Sequence, residues 1–292
     1  MMELIKAKGN TYYFESPAKV GLVLLGDGTC VLIDSGNDKT AAKRIKRTLD
    51  EMGQTLVAIY NTHCHADHIG GNAYLQAQTG CKVYSPGVEC DFTNHPILES
   101  SLLYSAVPPR PLRGKFMLAE PSVAEPLTAD VLPTGFSLLP LGGHALDMVG
   151  IRTPDDVLFV GDVVSAPETL AKYRVAYTFD VGNYLASLDT LRGVKAALFV
   201  PSHTPPTADL TELLDLNEAA ANAVAADILD LCRTPRTHEM LLKALFDKYG
   251  LTLTFSQFAL VGGALRAYLS WLLDTGRVEP VITENYLYYK AV

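Results

Sequence analysis

The chain has 292 residues, of which 48% are hydrophobic and 19% charged, enough apolar material for one large core or for a large core with a small appendage. Its formal net charge of −8 does not attract polyanions, so nucleic acid and anionic membranes are excluded as default partners. No signal peptide and no membrane-length apolar run is present, and the five scattered cysteines lack a Cys-x-x-Cys pair, so a cytoplasmic protein with reduced thiols is expected.

Short apolar runs at Thr11–Glu15, Val20–Leu25 and Cys30–Ile33 predict a β-meander, with Gly26-Asp27-Gly28 as a hairpin turn. Asp34-Ser35-Gly36 ends the third strand. The helix expected over 38–52 places Ala41, Ala42, Ile45 and Leu49 on one face. Asp34 reads as a turn former or as support for a nearby ligand rather than as a ligand. The run Thr55–Tyr60 predicts a buried strand, and it leads into Thr62-His63-Cys64-His65-Ala66-Asp67-His68-Ile69-Gly70-Gly71.

That stretch holds three of the seven histidines in the chain. Alternate residues of an extended segment point the same way, so His63, His65 and Asp67 can converge, while His68 is aimed at a neighbouring point. Such an arrangement suits two metal ions better than one, and imidazole with carboxylate favours zinc, with iron or manganese as alternatives. Cys64, out of phase with the candidate ligands, is expected to pack. Gly70-Gly71 allows a tight turn into a helix over 72–78.

A strand at 82–84 follows, and then regular patterning breaks down from Ser85 to Gly135, where eight of the seventeen prolines fall. A loop of that length predicts a lid or a dimer surface, and His95 within it reads as an ordinary loop histidine. Strands are expected again at 136–141, 148–152, 157–160 and 196–200, with a helix at 184–191. Three of these strands run into Gly143-His144, Gly161-Asp162 and Ser202-His203. Strand ends and the loops after them gather along one rim in layered folds, where chemistry usually sits.

The series His63, His65, Asp67, His68, His144, Asp162 and His203 resembles the metallo-β-lactamase superfamily, in particular its dinuclear hydrolases related to glyoxalase II. The resemblance covers roughly residues 10–205. It implies an α+β fold, an αββα sandwich with two mixed sheets face to face. It also implies one divalent ion on His63, His65 and His144, a second on Asp67, His68 and His203, and Asp162 bridging both. Two such ions lower the pKa of a shared water toward ~7. The implied activity is hydrolysis of a small thioester, ester or lactone by that hydroxide, with Asp67 as the catalytic residue that orients it or takes its proton. Alternatives are a phosphodiesterase or ribonuclease on the same metal pair, or a non-haem di-iron redox protein; Ala66, where the redox branch usually carries a carboxylate, counts against the last.

The tail predicts a long helix at 209–231, a second at 239–249, and a third opened by the capping box Thr254-x-x-Gln257 and breakable at Gly262-Gly263. A hairpin at 278–289 follows. This order looks like a winged helix, similar to the small C-terminal domain of some superfamily members, and divides the chain into a catalytic part (1–232) and an appendage (233–292). From 234 onward six Lys and Arg stand against five Asp and Glu, with no basic stripe, so a packing or homodimer role is expected rather than nucleic-acid binding. His238 reads as a surface helix residue. The expected partner is a small-molecule substrate.

Overall fold

The computed structural model describes residues 2–292. Seven strands form the first sheet in sequence order: β1 (Glu3–Lys8), β2 (Thr11–Glu15), β3 (Val20–Leu24), β4 (Thr29–Ile33), β5 (Thr55–Tyr60), β6 (Lys82–Ser85) and β7 (Ala124–Pro126). The first four pair antiparallel, and β4 to β7 pair parallel. The second sheet has the order β11-β10-β9-β8, built from β8 (Ser137–Pro140), β9 (Val149–Arg152), β10 (Val157–Gly161) and β11 (Leu198–Pro201).

Period-two alternation makes each strand serve two cores. Val23, Val31, Ile33, Ala58 and Tyr60 of the first sheet meet Val149, Ile151, Phe159 and Val200 of the second in the layer between them. The intervening residues Leu22, Leu32 and Ile59 face outward and are covered by Ala42, Ile45 and Leu49 of α1 (Lys39–Glu51) and by Leu75. On the far side, Leu158 and Val160 pack against Tyr184, Leu188 and Leu191. The result is the expected αββα sandwich.

The remaining helices are α2 (Ala66–Ile69), α3 (Asn72–Thr79), α4 (Glu89–Asn94), α5 (Ile97–Tyr104), α6 (Pro167–Tyr173), α7 (Val181–Arg192), α8 (Thr211–Leu231), α9 (His238–Tyr249) and α10 (Phe255–Asp274). A hairpin of β12 (Val278–Thr283) and β13 (Tyr286–Ala291) closes the chain. Helices α8, α9 and α10 share one hydrophobic cluster with Val175 and Val181, so the tail packs directly on the segment that leads into α7. Among the described residues, no helix is long and apolar enough to cross a membrane.

Four expectations need correction. The meander begins one strand earlier, because Glu3–Lys8 alternates weakly and lies at a charged sheet edge. The proline-rich span 85–135 is not one irregular loop: it contains α4, α5 and β7, elements too short and too weakly periodic to read from pattern alone. Helix α6, of seven residues, is as short as these. Helix α10 runs unbroken through Gly262 and Gly263, since both lie against neighbours: a Cβ on Gly262 would meet the His238 ring at 3.5 Å, and one on Gly263 would meet Leu103 at 3.9 Å. His238 is accordingly buried rather than superficial, with its Nε2 2.9 Å from the Gly262 carbonyl oxygen.

Candidate metal centre

The seven candidate side chains come together at one edge of the sandwich. They form two groups whose potential ligand atoms lie within 4.8 Å of one another: His63, His65 and His144 in one, and Asp67, His68, Asp162 and His203 in the other. Strand β5 delivers His63 and His65, and α2 carries Asp67 and His68 round a tight turn. The ends of β10 and β11 deliver Asp162 and His203. Gly70 and Gly71 are needed less for turning than for closeness: a Cβ on either would lie 2.2 Å from the Asn37 carbonyl oxygen or 2.3 Å from that of Ser35. Gly143, at φ +121°, sits against the backbone of Tyr184 and aims His144 inward.

Hydrogen bonds outside the site decide which ring nitrogen faces in. His68 Nδ1 lies 2.8 Å from Asp34 Oδ2 and donates to it. The Thr62 hydroxyl donates to the same oxygen at 2.8 Å, which leaves Thr62 Oγ1 to accept from His63 Nδ1 at 3.0 Å. His144 Nδ1 donates to the Tyr177 carbonyl (3.2 Å), and His203 Nδ1 to that of Pro17 (2.5 Å). All four rings therefore turn an unprotonated or titratable Nε2 toward the centre. His65 is reversed: its Nδ1 faces His144 Nε2 at 3.0 Å, and its Nε2 faces the Glu99 carboxylate at 4.0 Å. Asp34, a residue with φ +62°, thus supports one histidine of each group through a single carboxylate.

Asp162 lies between the groups. Its Oδ2 is 3.0 Å from His203 Nε2 and 3.6 Å from His144 Nε2, and its Oδ1 is 3.2 Å from His68 Nε2. Asp67 Oδ2 is 3.3 Å from His203 Nε2, and the Asp67 carboxylate is a third exposed where that of Asp162 is a tenth.

Whether these residues suit a metal can be judged from their unmet valence. His63 Nε2, His68 Nε2 and Asp162 Oδ1 are buried and have no hydrogen-bond partner, although a buried polar atom left unpaired costs about 1–3 kcal/mol. The last two lie close together yet outside hydrogen-bond geometry. Three orphaned, converging ligand atoms fit a divalent cation.

Electrostatics point the same way. Burial, with the neighbouring rings, pushes His63 well below the usual imidazole value and His65 down to about 3; burial also lowers His144. That group is neutral, the form that ligates. In the other group the Asp162 charge raises His203 to about 10. Burial opposes a proton on His68, but Asp162, Asp67 and Asp34 override it and hold it well above the usual value. Burial likewise works against ionisation of Asp67 and Asp162, yet the cationic histidines bring Asp67 down to about 2 and Asp162 well below the carboxylate range. Protons on His68 and His203 supply positive charge that the carboxylates demand.

Three contributors were not anticipated from the sequence. Glu89, buried on α4, accepts from the backbone N–H of Cys64 and of Asp147 (3.0 Å each) and so ties the histidine motif to the loop that carries His144. Glu99, on α5, faces His65; burial, then the charges of Asp67 and Glu89, keep its carboxyl well above the usual range. Tyr177 sets its ring edge-on to both His65 and His144, at 5.5 and 5.7 Å. No local motif marks any of the three. Cys64 is buried as packing, and His95 is an exposed residue after α4, both as expected.

The profile of the metallo-β-lactamase superfamily matches residues 15–203, and the chain belongs to that superfamily. Over its whole length it is similar in fold to a β-lactamase domain protein from Burkholderia ambifaria (TM-score 0.78, 17% identity, 99% of this chain and 94% of that one). It is similar too to a metallo-β-lactamase family protein from Thermus thermophilus (TM-score 0.71, 20% identity, 100% and 98%). Among curated proteins it is 41% identical over 64 residues to a hydroxyacylglutathione hydrolase of Crocosphaera subtropica, and 28% identical over 142 residues to one of Hyphomonas neptunium. These alignments cover 20% and 48% of this chain, and they span only 25% and 45% of those relatives. The His and Asp clusters on this fold define a site for divalent metal ions.

Proposed function

We propose that the chain is a metal-dependent hydrolase of a small thioester, ester or lactone, with zinc as the metal. The observation that carries this reading is the pair of His and Asp groups joined at Asp162, with three buried ligand atoms left unpaired. His63, His65 and His144 would hold one ion, Asp67, His68 and His203 the other, and Asp162 would touch both. When bound, such a pair supplies Lewis acidity and water of lowered pKa. The curated relatives' name, hydroxyacylglutathione hydrolase, supports acyl transfer to water.

In this reaction the water oxygen bonds to the acyl carbon, the C–S or C–O bond breaks, and one proton passes to the departing sulfur or oxygen. Asp67 is the carboxylate open enough to meet that water, and it would orient the water or take its proton. Asp34 and Thr62 hold His68 and His63 in their ligating tautomers. The same reading keeps residues 1–232 as the catalytic part and 233–292 as a winged-helix-like part, supported by the order α9, α10, hairpin.

Zinc-loaded protein assayed on a glutathione thioester, simple chromogenic esters and a chromogenic phosphodiester, with Asp67→Ala as the blank, tests the proposal. Cleavage of a thioester or ester that falls by at least ~100-fold in the variant is expected. Faster phosphodiester cleavage, or no dependence on Asp67, overturns it.

A further inference from the structure

We propose that the substrate's acyl group is apolar, and that it lodges in a cavity whose far wall is supplied by the C-terminal helix α10. This rests on the hydrolase reading. The cavity has a volume of about 230 Å³ and includes His144 in its lining. Val175 and Tyr177 bound it on the side of the segment between α6 and α7, and Leu260 and Val261 of α10 bound it opposite. Tyr177 joins the two regions, because its ring lies edge-on to His65 and His144 while also lining the cavity.

The lining contains no Lys, Arg, Asp or Glu. Its polar members besides His144 are the hydroxyls of Ser165, Thr169, Tyr173 and Tyr177, and Gln257, whose Oε1 is turned back to accept from the Thr254 N–H of its own capping box. Glutathione carries two carboxylates, and nothing in this lining would neutralise them. A neutral, apolar group suits the cavity, and at about 30 Å³ per heavy atom there is room for roughly seven. The cavity opens to solvent on one side, past the exposed Tyr173, and through His144 it adjoins the candidate reacting centre.

Helix α10 therefore does more than pack: it sets acyl specificity. Each methylene buried in an apolar site favours binding roughly fourfold. The full chain, zinc-loaded, would be assayed on p-nitrophenyl acetate, butanoate and hexanoate. The expected result is a kcat/KM that climbs roughly fourfold per methylene until the cavity is full. Leu260→Trp, which fills the cavity, is expected to lower the hexanoate-to-acetate ratio by roughly tenfold or more; Val261→Phe serves if the tryptophan variant does not fold.

A second readout is independent of turnover. In the metal-free protein, hexanamide should shift the methyl NMR signals of Leu260 and Val261 saturably, and acetamide should not. Absence of those shifts, or a flat chain-length profile in the wild type, overturns the inference. Saturable hexanamide shifts in a protein that cleaves no ester or thioester would support the cavity assignment while removing the hydrolase reading.

Discussion

Asp34→Asn isolates the role of hydrogen-bond direction at this site. Asparagine has nearly the same shape as aspartate and also tolerates positive φ, so the φ of +62° at this position introduces no new strain. What changes is the sign of one atom. Asp34 Oδ2 accepts from His68 Nδ1 and from the Thr62 hydroxyl, both at 2.8 Å, and Oδ1 accepts from the Thr62 N–H at 2.8 Å. If the asparagine oxygen faces the Thr62 N–H, its NH₂ faces His68 and Thr62 Oγ1. His68 must then carry its proton on Nε2, and the Thr62 hydroxyl turns to His63 Nδ1, which shifts the proton of that ring as well. If the amide is reversed, two donors meet at the Thr62 backbone.

Each misdirected buried group costs about 1–3 kcal/mol, and loss of such a partner to a metal-binding histidine typically costs 10–100-fold in metal affinity. Because His63 and His68 belong to different groups, both metal sites should weaken by roughly that factor, about two to four decades in total affinity. Competition titration against a chromogenic chelator, with far-UV circular dichroism as the folding control, measures this. A folded Asn variant that takes up two equivalents of zinc with unchanged affinities would refute the argument.

Metal loading should release protons. His203 is raised to about 10 and His68 well above its usual value in the metal-free chain, so both give up a proton to ligate, and loading weakens as pH falls; calorimetry in buffers of different ionisation enthalpy counts them, and no buffer dependence would contradict the charge pattern. By the same sign, the His203 proton stabilises the metal-free fold fully below 6.5, and that contribution disappears as pH rises toward about 10. Glu89→Ala leaves the N–H groups of Cys64 and Asp147 without an acceptor, and a loss of about 2–4 kcal/mol in urea unfolding is expected, with weaker metal uptake. Asp38 caps α1 by accepting from the N–H of Thr40 and Ala41, and its side chain also meets Lys115 at 2.8 Å. Asp38→Ala should cost about 1 kcal/mol, a difference that vanishes as acid protonates the wild-type carboxyl, whose pKa the Lys115 hydrogen bond lowers below 3.8. Unchanged denaturation midpoints at neutral pH would rule the cap out as a source of stability.

The convergence of the candidate side chains was legible because its chemistry is local. Four metal-capable side chains within six positions need only an extended segment and a turn to converge, and strand ends marked by Gly143-His144, Gly161-Asp162 and Ser202-His203 announce where the others arrive. The sandwich was legible through alternation: Val31 and Leu32, or Ala58 and Ile59, already divide between two cores. Short helices such as α4 and α5 were not, since six or eight residues give fewer than three turns of periodicity. Only the tertiary structure reveals that Glu89, Glu99 and Tyr177 surround the histidines. Each comes from a separate segment with no spacing rule to connect it, and its placement depends on how α4, α5 and the turn before α7 pack. The position of α10 beside His144 belongs to the same class. A capping box and an apolar stripe specify that a helix forms there, but which surface it covers is decided by burial against Val175 and Val181, contacts that sequence distance conceals.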